Sequence, residues 1–359
     1  MKLRNPQTKY KLFEYADDYL EAMLEDIRHA RRYIYLQMYK WGNGEYGKLF
    51  RDELTKKCRQ GVEVKVLIDS WGAYLNDSFF SELIHAGGEV RYFKKIKFFI
   101  DFFTKNHRRN HRKLLVIDDH IVHLGSANIV EYAKSWREAM FRIYGDIAIP
   151  FKRIFLSDFR IYRKYVFEKP SYVRTIRHGS FEILRDVPSI AMQRIRKKYL
   201  ELIQIAENEI IIETPYFLPG TQLRKGLINA ARRGVAVKVF LPKHSDMRII
   251  DILRNRYLGM LCRHQVQFLF YVPDNLHAKI ILADRRAFIL GSPNFDFRSF
   301  RYQHEIAILG RDPEAVTLVV DHVLGTLKDS EPFNYDHWLN RPFVDKFFER
   351  LLIPFRHWF

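Results

Sequence analysis

The hydrophobic positions of the chain follow two alternating periods, and the same order of periods occurs twice. In the first half, a stretch with helical period over residues 19–30 precedes a β-branched and aromatic run at Tyr33–Leu36. In the second half, residues 189–206 and Ile210–Ile212 repeat that order. Helical periodicity predicts an amphipathic helix, and a short apolar run rich in β-branched residues predicts a buried strand. A short predicted strand opens each copy, at Phe13–Tyr15 and at Phe181–Ile183.

A second matching segment follows in each copy, RQGVEVKVLID in the first half and RRGVAVKVFLP in the second. Gly61 and Gly234 stand where a helix should end, because glycine accepts the left-handed backbone found there. Strands that alternate with helices favour a parallel or mixed sheet covered by helices. The sequence therefore predicts an α/β protein of two similar lobes, residues 1–170 and 171–359, related by a pseudo-two-fold axis.

Each predicted lobe carries the same chemical signature at the same spacing. A lysine follows a histidine by two residues and an aspartate follows it by seven, and a Gly-Ser-x-Asn sequence begins fourteen residues after the histidine. A glutamate comes 27 residues after the first histidine and 28 after the second. One such match would be weak evidence, whereas two at matched spacing indicate two catalytic halves. The residues are His111, Lys113, Asp118, Ser126, Asn128 and Glu138 in the first set, and His277, Lys279, Asp284, Ser292, Asn294 and Glu305 in the second.

These residue types suit the exchange of a phosphodiester without a metal ion. A neutral imidazole attacks phosphorus and forms a phosphohistidine, while a second, protonated imidazole donates to the departing alkoxide and then serves as base for the incoming hydroxyl. An unperturbed pKa of about 6.5 lets small differences in environment keep one histidine neutral and the other charged. Lys113 and Lys279 supply positive charge, and the serine and asparagine side chains supply hydrogen bonds to the phosphoryl oxygens. No metal or cofactor is predicted.

The paired motifs resemble those of the phospholipase D superfamily, over nearly the whole chain. Within it, the sequence is most similar to bacterial cardiolipin synthases at NHRRNHRK (106–113), at TPYFLP (214–219) and at WRE (136–138). It differs from them in having no amino-terminal membrane helices, in Gly-Ser rather than Gly-Gly at 125–126, and in Glu rather than Asp at position 138. The resemblance implies two phospholipase D-like lobes.

The resemblance also implies roles for individual residues. Glu138 and Glu305 would hydrogen-bond the histidine ring nitrogens that face away from phosphorus, which fixes the tautomer and the ring orientation. The two aspartates of the signature look like structural members of their strands. His111 would be the nucleophile and His277 the acid, and the internal symmetry leaves the reverse assignment open.

By this resemblance the protein is expected to be a phosphatidyltransferase that makes cardiolipin from two phosphatidylglycerols and releases glycerol. Two alternatives remain open, a phospholipase D that hydrolyses its lipid and a metal-independent nuclease of the same superfamily. The formal net charge of +18 favours a phosphate-bearing partner of any kind. Because basic residues cluster beside apolar aromatic groups, we expect an anionic phospholipid membrane rather than nucleic acid.

Composition sets the class of protein and its compartment. With 47% hydrophobic and 28% charged residues the chain is globular rather than disordered. Cys58 and Cys262 form neither a disulfide framework nor a metal motif, which favours a reducing compartment. The sequence shows no signal peptide and no uncharged apolar run of membrane-spanning length. We therefore expect a cytoplasmic protein attached peripherally to the inner face of the cell membrane.

Two segments are candidates for membrane contact. Residues 90–113 contain nine Lys or Arg and one acid, with Phe98, Phe99, Ile100, Phe102 and Phe103 among them. Residues 338–359 predict an amphipathic helix that ends near Pro354. Each helix face could pack on the protein body or lie in the membrane interface, and the aromatic residues at the end of the chain favour the interface for the second segment.

Four aromatic residues are candidates for contact with the lipid headgroup, because they lie where the predicted strands end. They are Tyr39, Trp41, Tyr216 and Phe217.

Overall fold

A computed structural model of the chain describes residues 9–72, 75, 77–93, 108–162, 174–189 and 192–355. The chain divides into two compact units. The first is Met1–Lys134 with Met140–Tyr172, and the second is Ser135–Ala139 with Val173–Phe359. The lobe boundary predicted at residue 170 lies outside the described residues.

The described part of the first unit is a seven-stranded mixed sheet with helices. Its strands are β1 (Tyr10–Phe13), β2 (Tyr33–Met38), β3 (Glu63–Asp69), β4 (Glu89–Phe93), β5 (Leu114–Ile117), β6 (Ile121–Gly125) and β7 (Met140–Tyr144), and its helices are α1 (Ala16–His29), α2 (Glu45–Arg59), α3 (Ser81–His85) and α4 (Ala148–Ile161). The strand order is β1-β7-β6-β5-β2-β3-β4. Strands β2, β3 and β4 are parallel, and the other neighbours are antiparallel.

The described part of the second unit has a nine-stranded sheet and a separate two-stranded one. The strands are β8 (Ile176–His178), β9 (Phe181–Asp186), β10 (Glu209–Glu213), β11 (Phe217–Leu218), β12 (Ala236–Pro242), β13 (Gln267–Tyr271), β14 (Ile280–Ala283), β15 (Ala287–Gly291), β16 (Phe295–Asp296), β17 (Glu305–Gly310) and β18 (Ser330–Pro332). The helices are α5 (Arg194–Ile205), α6 (Thr221–Arg232), α7 (Arg248–Cys262), α8 (Phe297–Tyr302), α9 (Pro313–Lys328), α10 (Tyr335–Leu339) and α11 (Phe343–Leu352). The large sheet has the order β18-β13-β12-β10-β14-β15-β17-β9-β8, and β11 pairs with β16.

The two large sheets repeat one topology. Without its outer strands β8 and β18, the second sheet reads β9-β17-β15-β14-β10-β12-β13, which matches the first sheet strand for strand. The parallel part is β10-β12-β13, as β2-β3-β4 is in the first unit. The predicted α/β fold of two similar lobes with mixed sheets is confirmed.

The helix ends at the two predicted glycines are alike in detail. Gly61 and Gly234 have φ angles of +85° and +88°, a region that disfavours residues with a Cβ. The amide of the valine after each glycine donates to the carbonyl five residues earlier, at 3.1 Å in both units. This closes the last turn of each helix and starts the next strand.

Three predicted elements begin at least three residues from the expected position, and one of them is α1, which begins at Ala16 rather than at residue 19. The first strand is Tyr10–Phe13 rather than Phe13–Tyr15, because its antiparallel partner β7 pairs with those residues and α1 begins at Ala16. Helix α5 begins at Arg194 rather than at residue 189. The carboxylate of Asp186 accepts hydrogen bonds from the amides of Arg194 and Ile195, which satisfies the start of the helix at that point.

The central strands are buried, and in each sheet the end of one strand lies beside the start of another. All six residues of β2 are buried, as expected of a strand covered on both faces. Because β5 runs antiparallel to β2 with Gln37 opposite Leu114, the chain entering β5 lies beside the chain leaving β2. Glu213 and Ile280 are paired in the same way in the second unit. None of the helices in the described parts of the chain is long and apolar enough to span a membrane.

Candidate active site

Both His-x-Lys segments lie just before their strands rather than within them. Strand β5 begins at Leu114 and β14 at Ile280, one residue after each lysine. The lysine side chain turns back, so that Nζ donates to the carbonyl of the histidine two residues earlier. The distance is 2.7 Å for Lys113 and 2.6 Å for Lys279. Each ammonium is therefore fixed beside its histidine, and all four side chains are buried.

In the first unit, Tyr39 is packed against both residues of the motif. Its ring lies edge-on to His111 with 4.8 Å between the ring centroids. The Lys113 ammonium lies 5.1 Å from the centroid of the same ring. The structure thus places this predicted headgroup residue in contact with the motif itself.

Two buried ion pairs hold the segment that carries His111. The Arg109 guanidinium lies 3.0 Å from the Asp69 carboxylate at the end of β3, and the Asn110 amide donates to the same carboxylate at 2.8 Å. Arg112 pairs with Asp158 on α4. Two arginines anchored on either side of His111 leave its backbone little freedom.

In the second unit, His277 is hydrogen-bonded to Glu138. Its Nδ1 lies 2.8 Å from Oε1 of Glu138, whose side chain is fully buried. A carboxylate accepts from Nδ1–H, so the neutral tautomer with the proton on Nδ1 is favoured and Nε2 carries the lone pair. The Trp136 ring lies against the imidazole with 5.3 Å between centroids. The structure places the Glu138 carboxylate in contact with the His277 ring, and the role of this contact in catalysis stays a prediction.

The segment that carries Glu138 is fixed by Arg137. Its carbonyl accepts from the amides of His277 and Ala278, at 2.7 and 3.0 Å. Its guanidinium donates to Oγ1 of Thr326 at 2.7 Å and to the carbonyl of His322 at 2.8 Å, both on α9. A Cβ at Gly325 would lie 2.6 Å from this guanidinium.

Arg137 in the second unit corresponds to Arg112 in the first. Arg112 directly follows His111 and is anchored on α4, whereas the residue that follows His277 is Ala278. The guanidinium anchored on the equivalent helix α9 comes instead from Arg137. The roles of Asp69, Asp158 and Arg137 are not visible in the sequence pattern, because the contacts that reveal them join residues far apart in the chain.

Lys279 and His277 share a desolvated environment with several acids. Burial lowers the pKa of Lys279 to about 8, although Glu138, Asp246, Glu305 and Asp296 all favour its charged form. Burial also lowers the pKa of His277, which Glu138 opposes and Lys279 reinforces. An imidazole in this position is therefore inclined to be neutral at neutral pH.

The serine and asparagine of the second motif differ in what they contact. The hydroxyl of Ser292 contacts the Glu305 carboxylate and accepts from the amide of Ile306 at 3.0 Å. The single hydroxyl proton of Ser292 is therefore donated to Glu305. A hydrogen bond from Ser292 to phosphate stays a prediction. The side-chain oxygen of Asn294 is buried and has no hydrogen-bond partner among the described residues. Such a group is typical of one that meets a ligand or a water.

In the first motif, the equivalent asparagine has a structural contact. Oδ1 of Asn128 accepts from the amide of Lys40 at 3.0 Å, which ties the motif to the chain leaving β2. The hydroxyl of Tyr19 donates to the Asn128 carbonyl at 3.0 Å. Ser126 is fully buried. Contacts of these side chains and of Glu305 with a substrate or a histidine stay predictions.

The two aspartates of the signature bind backbone amides at the far end of each strand. Asp118 accepts from the amides of residues 31–33 at 2.6 to 2.9 Å, and Asp284 from those of residues 207–209 at 2.7 to 2.9 Å. Their φ angles of +52° and +50° lie in the left-handed region that aspartate tolerates. Each clamps the start of a parallel strand to the turn after β5 or β14, which agrees with a structural role.

We expect Asp118→Ala to lower the free energy of unfolding by about 2–4 kcal/mol, because the amides of residues 31–33 all lose their charged acceptor. Urea unfolding of this variant beside Asp52→Ala, a change at a surface residue of α2, measures the effect. A difference below about 0.5 kcal/mol between the two variants, the range of ordinary surface substitutions, would show that the clamp contributes nothing.

Of the three remaining headgroup candidates, one makes a polar contact and two are core residues. The Tyr216 hydroxyl donates to Oδ1 of Asp246 at 2.7 Å. Trp41 is buried, with its indole N–H donating to the Gly47 carbonyl, and Phe217 stacks on Phe295 in the core. The expectation that Trp41 and Phe217 contact a headgroup is wrong, because their rings fill the hydrophobic cores. The aromatic cluster at 98–103 lies outside the described residues.

A family model described as "Cardiolipin synthase, PLD-like domain" matches residues 23–159 and 199–324, one stretch in each half of the chain. The chain belongs to this family. Membership confirms the resemblance to the phospholipase D superfamily and to cardiolipin synthases that the paired motifs indicated.

Curated relatives in this family carry the same description. The cardiolipin synthase of Oceanobacillus iheyensis is 33% identical over 82% of this chain, which spans 64% of that enzyme. The major cardiolipin synthase ClsA of Bacillus subtilis is 30% identical over 94% of this chain, which spans 73% of that enzyme. The chain therefore spans about two thirds of the length of these relatives.

Solved structures share the fold at low sequence identity. Phosphatidylserine synthase from Haemophilus influenzae Rd KW20 superposes with a TM-score of 0.74 at 15% identity, over 98% of this chain and 93% of that one. Polyphosphate kinase from Porphyromonas gingivalis gives a TM-score of 0.64 at 13% identity, over 99% of this chain and 55% of that one. These similarities concern the fold alone.

Proposed function

We propose that this protein is a phosphatidyltransferase that joins two phosphatidylglycerols into cardiolipin and releases glycerol. The observation that carries the proposal is the His277–Glu138 hydrogen bond beside Lys279, in a chain of the cardiolipin synthase family. The relatives named above supply the lipid class, and the side chains supply the chemistry.

The reaction proceeds in two displacements at phosphorus. In the first, Nε2 of one histidine forms a P–N bond while the bond from phosphorus to the glycerol headgroup oxygen breaks, and the other imidazolium gives that oxygen its proton. In the second, a hydroxyl of the second phosphatidylglycerol loses its proton to the now neutral imidazole and attacks phosphorus. The P–N bond then breaks, and the two histidines return to their starting states.

Fixed charges favour the phosphorane-like transition state. Lys113 and Lys279 already point their ammonium groups toward the histidine backbone, so little reorganisation is needed when negative charge grows on the phosphoryl oxygens. Glu138 would stabilise His277 when it becomes an imidazolium. The lowered pKa of His277 favours a nucleophilic role, because the neutral imidazole is the form that attacks phosphorus. The family resemblance assigns that role to His111.

We also propose that the protein acts at the cytoplasmic face of the membrane, attached peripherally. A net charge of +18 is attracted to anionic phospholipids, and the proposed substrate is one of them.

The purified protein, incubated with phosphatidylglycerol vesicles in EDTA, tests the function. Cardiolipin and glycerol in equal amounts are expected. Phosphatidic acid in place of cardiolipin would show a hydrolase, and activity that needs an added divalent cation would contradict the metal-free mechanism. A parallel incubation with single-stranded DNA tests the nuclease alternative, because a net charge of +18 would also attract nucleic acid. DNA cleavage with unchanged lipid would overturn the proposal.

The pH dependence of kcat/KM should report the ionisation of the Lys279 ammonium group. Its ammonium is present below a pKa of about 8 and is lost as the pH rises past that value, so kcat/KM should fall above about pH 8. Lys279→Arg keeps its charge and should move this fall to higher pH, whatever its absolute rate. Lys243→Arg, a surface change, should leave the profile as in the wild type. A fall at the same pH in Lys279→Arg would assign it to another group.

A further inference from the structure

Helix α11 carries an apolar face that is open to solvent. Phe343, Val344, Phe347, Phe348 and Leu351 are each between 45% and 77% exposed. The five recur at helical spacing. Leu339 at the end of α10 is also exposed, and its carbonyl accepts a hydrogen bond from Lys346 of α11, so we count it with them. We call these six side chains the α11 apolar face. They make up six of the thirteen exposed large hydrophobic side chains among the described residues.

The opposite side of α11 packs on the rest of the second unit. The apolar side chains are therefore exposed on a helix that is itself held in place. Leu352 packs against the core of that unit. Arg341 pairs with Glu349 of α11 at 2.5 Å, and its guanidinium lies 4.1 Å from the ring centroid of Trp338. The Trp338 ring in turn lies on Gly259 of α7, where a Cβ would come within 2.1 Å of it.

Basic groups lie at the edge of the apolar face and on the anchored side of α11. Arg350 is exposed and follows Phe347 by three residues, so it lies at the edge of the face. Arg256 of α7 and Arg263, the residue after α7, are also exposed. Arg256 and Arg263 line a shallow cavity of about 280 Å³ together with His264 and Arg341. Glu349 also lines this cavity, and its carboxylate is paired with Arg341. Apolar side chains with cations at their border are typical of a surface that enters the headgroup region of an anionic membrane.

We propose that the α11 apolar face inserts into the interfacial layer of an anionic phospholipid bilayer, while Arg350 at its edge and Arg256 of the neighbouring α7 contact lipid phosphates. A second copy of the chain fits less well, because a stable protein interface uses about 20–30 residues a side and this face offers six side chains. The proposal rests on the proposed function in one respect, that the substrate lies in a bilayer.

Vesicle flotation with the full chain tests the surface. The double variant Phe347→Glu/Phe348→Glu should bind vesicles of phosphatidylglycerol and phosphatidylcholine at least about tenfold more weakly than the wild type. Ile205→Glu places the same charge at an exposed apolar residue at the end of α5 and should bind as the wild type does. Arg256→Glu/Arg350→Glu should weaken binding to these vesicles and reduce its salt dependence.

A second readout separates this inference from the proposed function. With dihexanoyl phosphatidylglycerol below its micelle concentration, Phe347→Glu/Phe348→Glu should keep the wild-type rate, which also shows that it is folded, while its rate on vesicles falls. Wild-type binding by the double variant would overturn the inference alone. A wild type that binds vesicles and exchanges no lipid would overturn the proposed function alone. A dimer in solution that the double variant converts to a monomer, with vesicle binding intact, would make the face an interface between copies.

Discussion

Replacing either His111 or His277 by asparagine is expected to lower kcat for phosphatidyl transfer by at least about 10⁴-fold. Each imidazole has a task that no neighbour can take over, either forming the bond to phosphorus or moving the proton. Asparagine keeps a polar side chain of similar reach but can do neither. Cardiolipin formed from labelled phosphatidylglycerol measures the loss.

His29→Asn is the matched control, because His29 lies on the surface of α1 and its ring contacts Glu25 of the same helix. It should be as active as the wild type. A residual rate above about one tenth in either motif variant would contradict the two-histidine mechanism.

The same variants decide which histidine is the nucleophile. Acid quenching is avoided because a P–N bond is hydrolysed in acid, and the trapped lipid-linked enzyme is mapped by mass spectrometry after alkaline quenching. The variant that lacks the nucleophile forms no adduct, whereas the variant that lacks the proton donor can still form one from a lipid with an acidic leaving group. An adduct on neither histidine in the wild type would exclude the covalent route.

Glu138→Gln should lower kcat by about 10²- to 10⁴-fold while leaving the fold intact. Glutamine matches the shape of glutamate but is neutral, so it neither fixes the tautomer of His277 as firmly nor stabilises its imidazolium. Because Glu138 raises the pKa of His277, its loss should also move the limb of the pH profile that belongs to His277 to lower pH.

Glu201→Gln is the control for this change, because Glu201 is an exposed residue of α5 that pairs with Lys198 on the same helix. Thermal unfolding of both variants separates a positioning effect from a loss of fold. If Glu138→Gln kept wild-type kcat and an unshifted pH profile, the contact with His277 would be structural only.

The repeat, the fold class and the chemical type of the candidate site can all be predicted from the sequence alone. Strand and helix periods depend on local backbone geometry, and Gly61 and Gly234 end their helices by a rule that needs only the absence of a Cβ. The paired signature was visible because the duplication repeats its spacing, so that His277 and Lys279 were found by comparison with His111 and Lys113.

The contacts of the individual side chains cannot be predicted in this way, because they depend on the tertiary fold. Arg137 anchors on α9 about 190 residues away, and its counterpart Arg112 anchors on α4, an exchange that no local pattern reveals. Trp41 and Tyr39 are two residues apart, yet one ring fills the core and the other touches His111. Contacts of this kind depend on which distant elements pack together, and that follows from the burial of whole helix and strand faces rather than from the residues next to the motif.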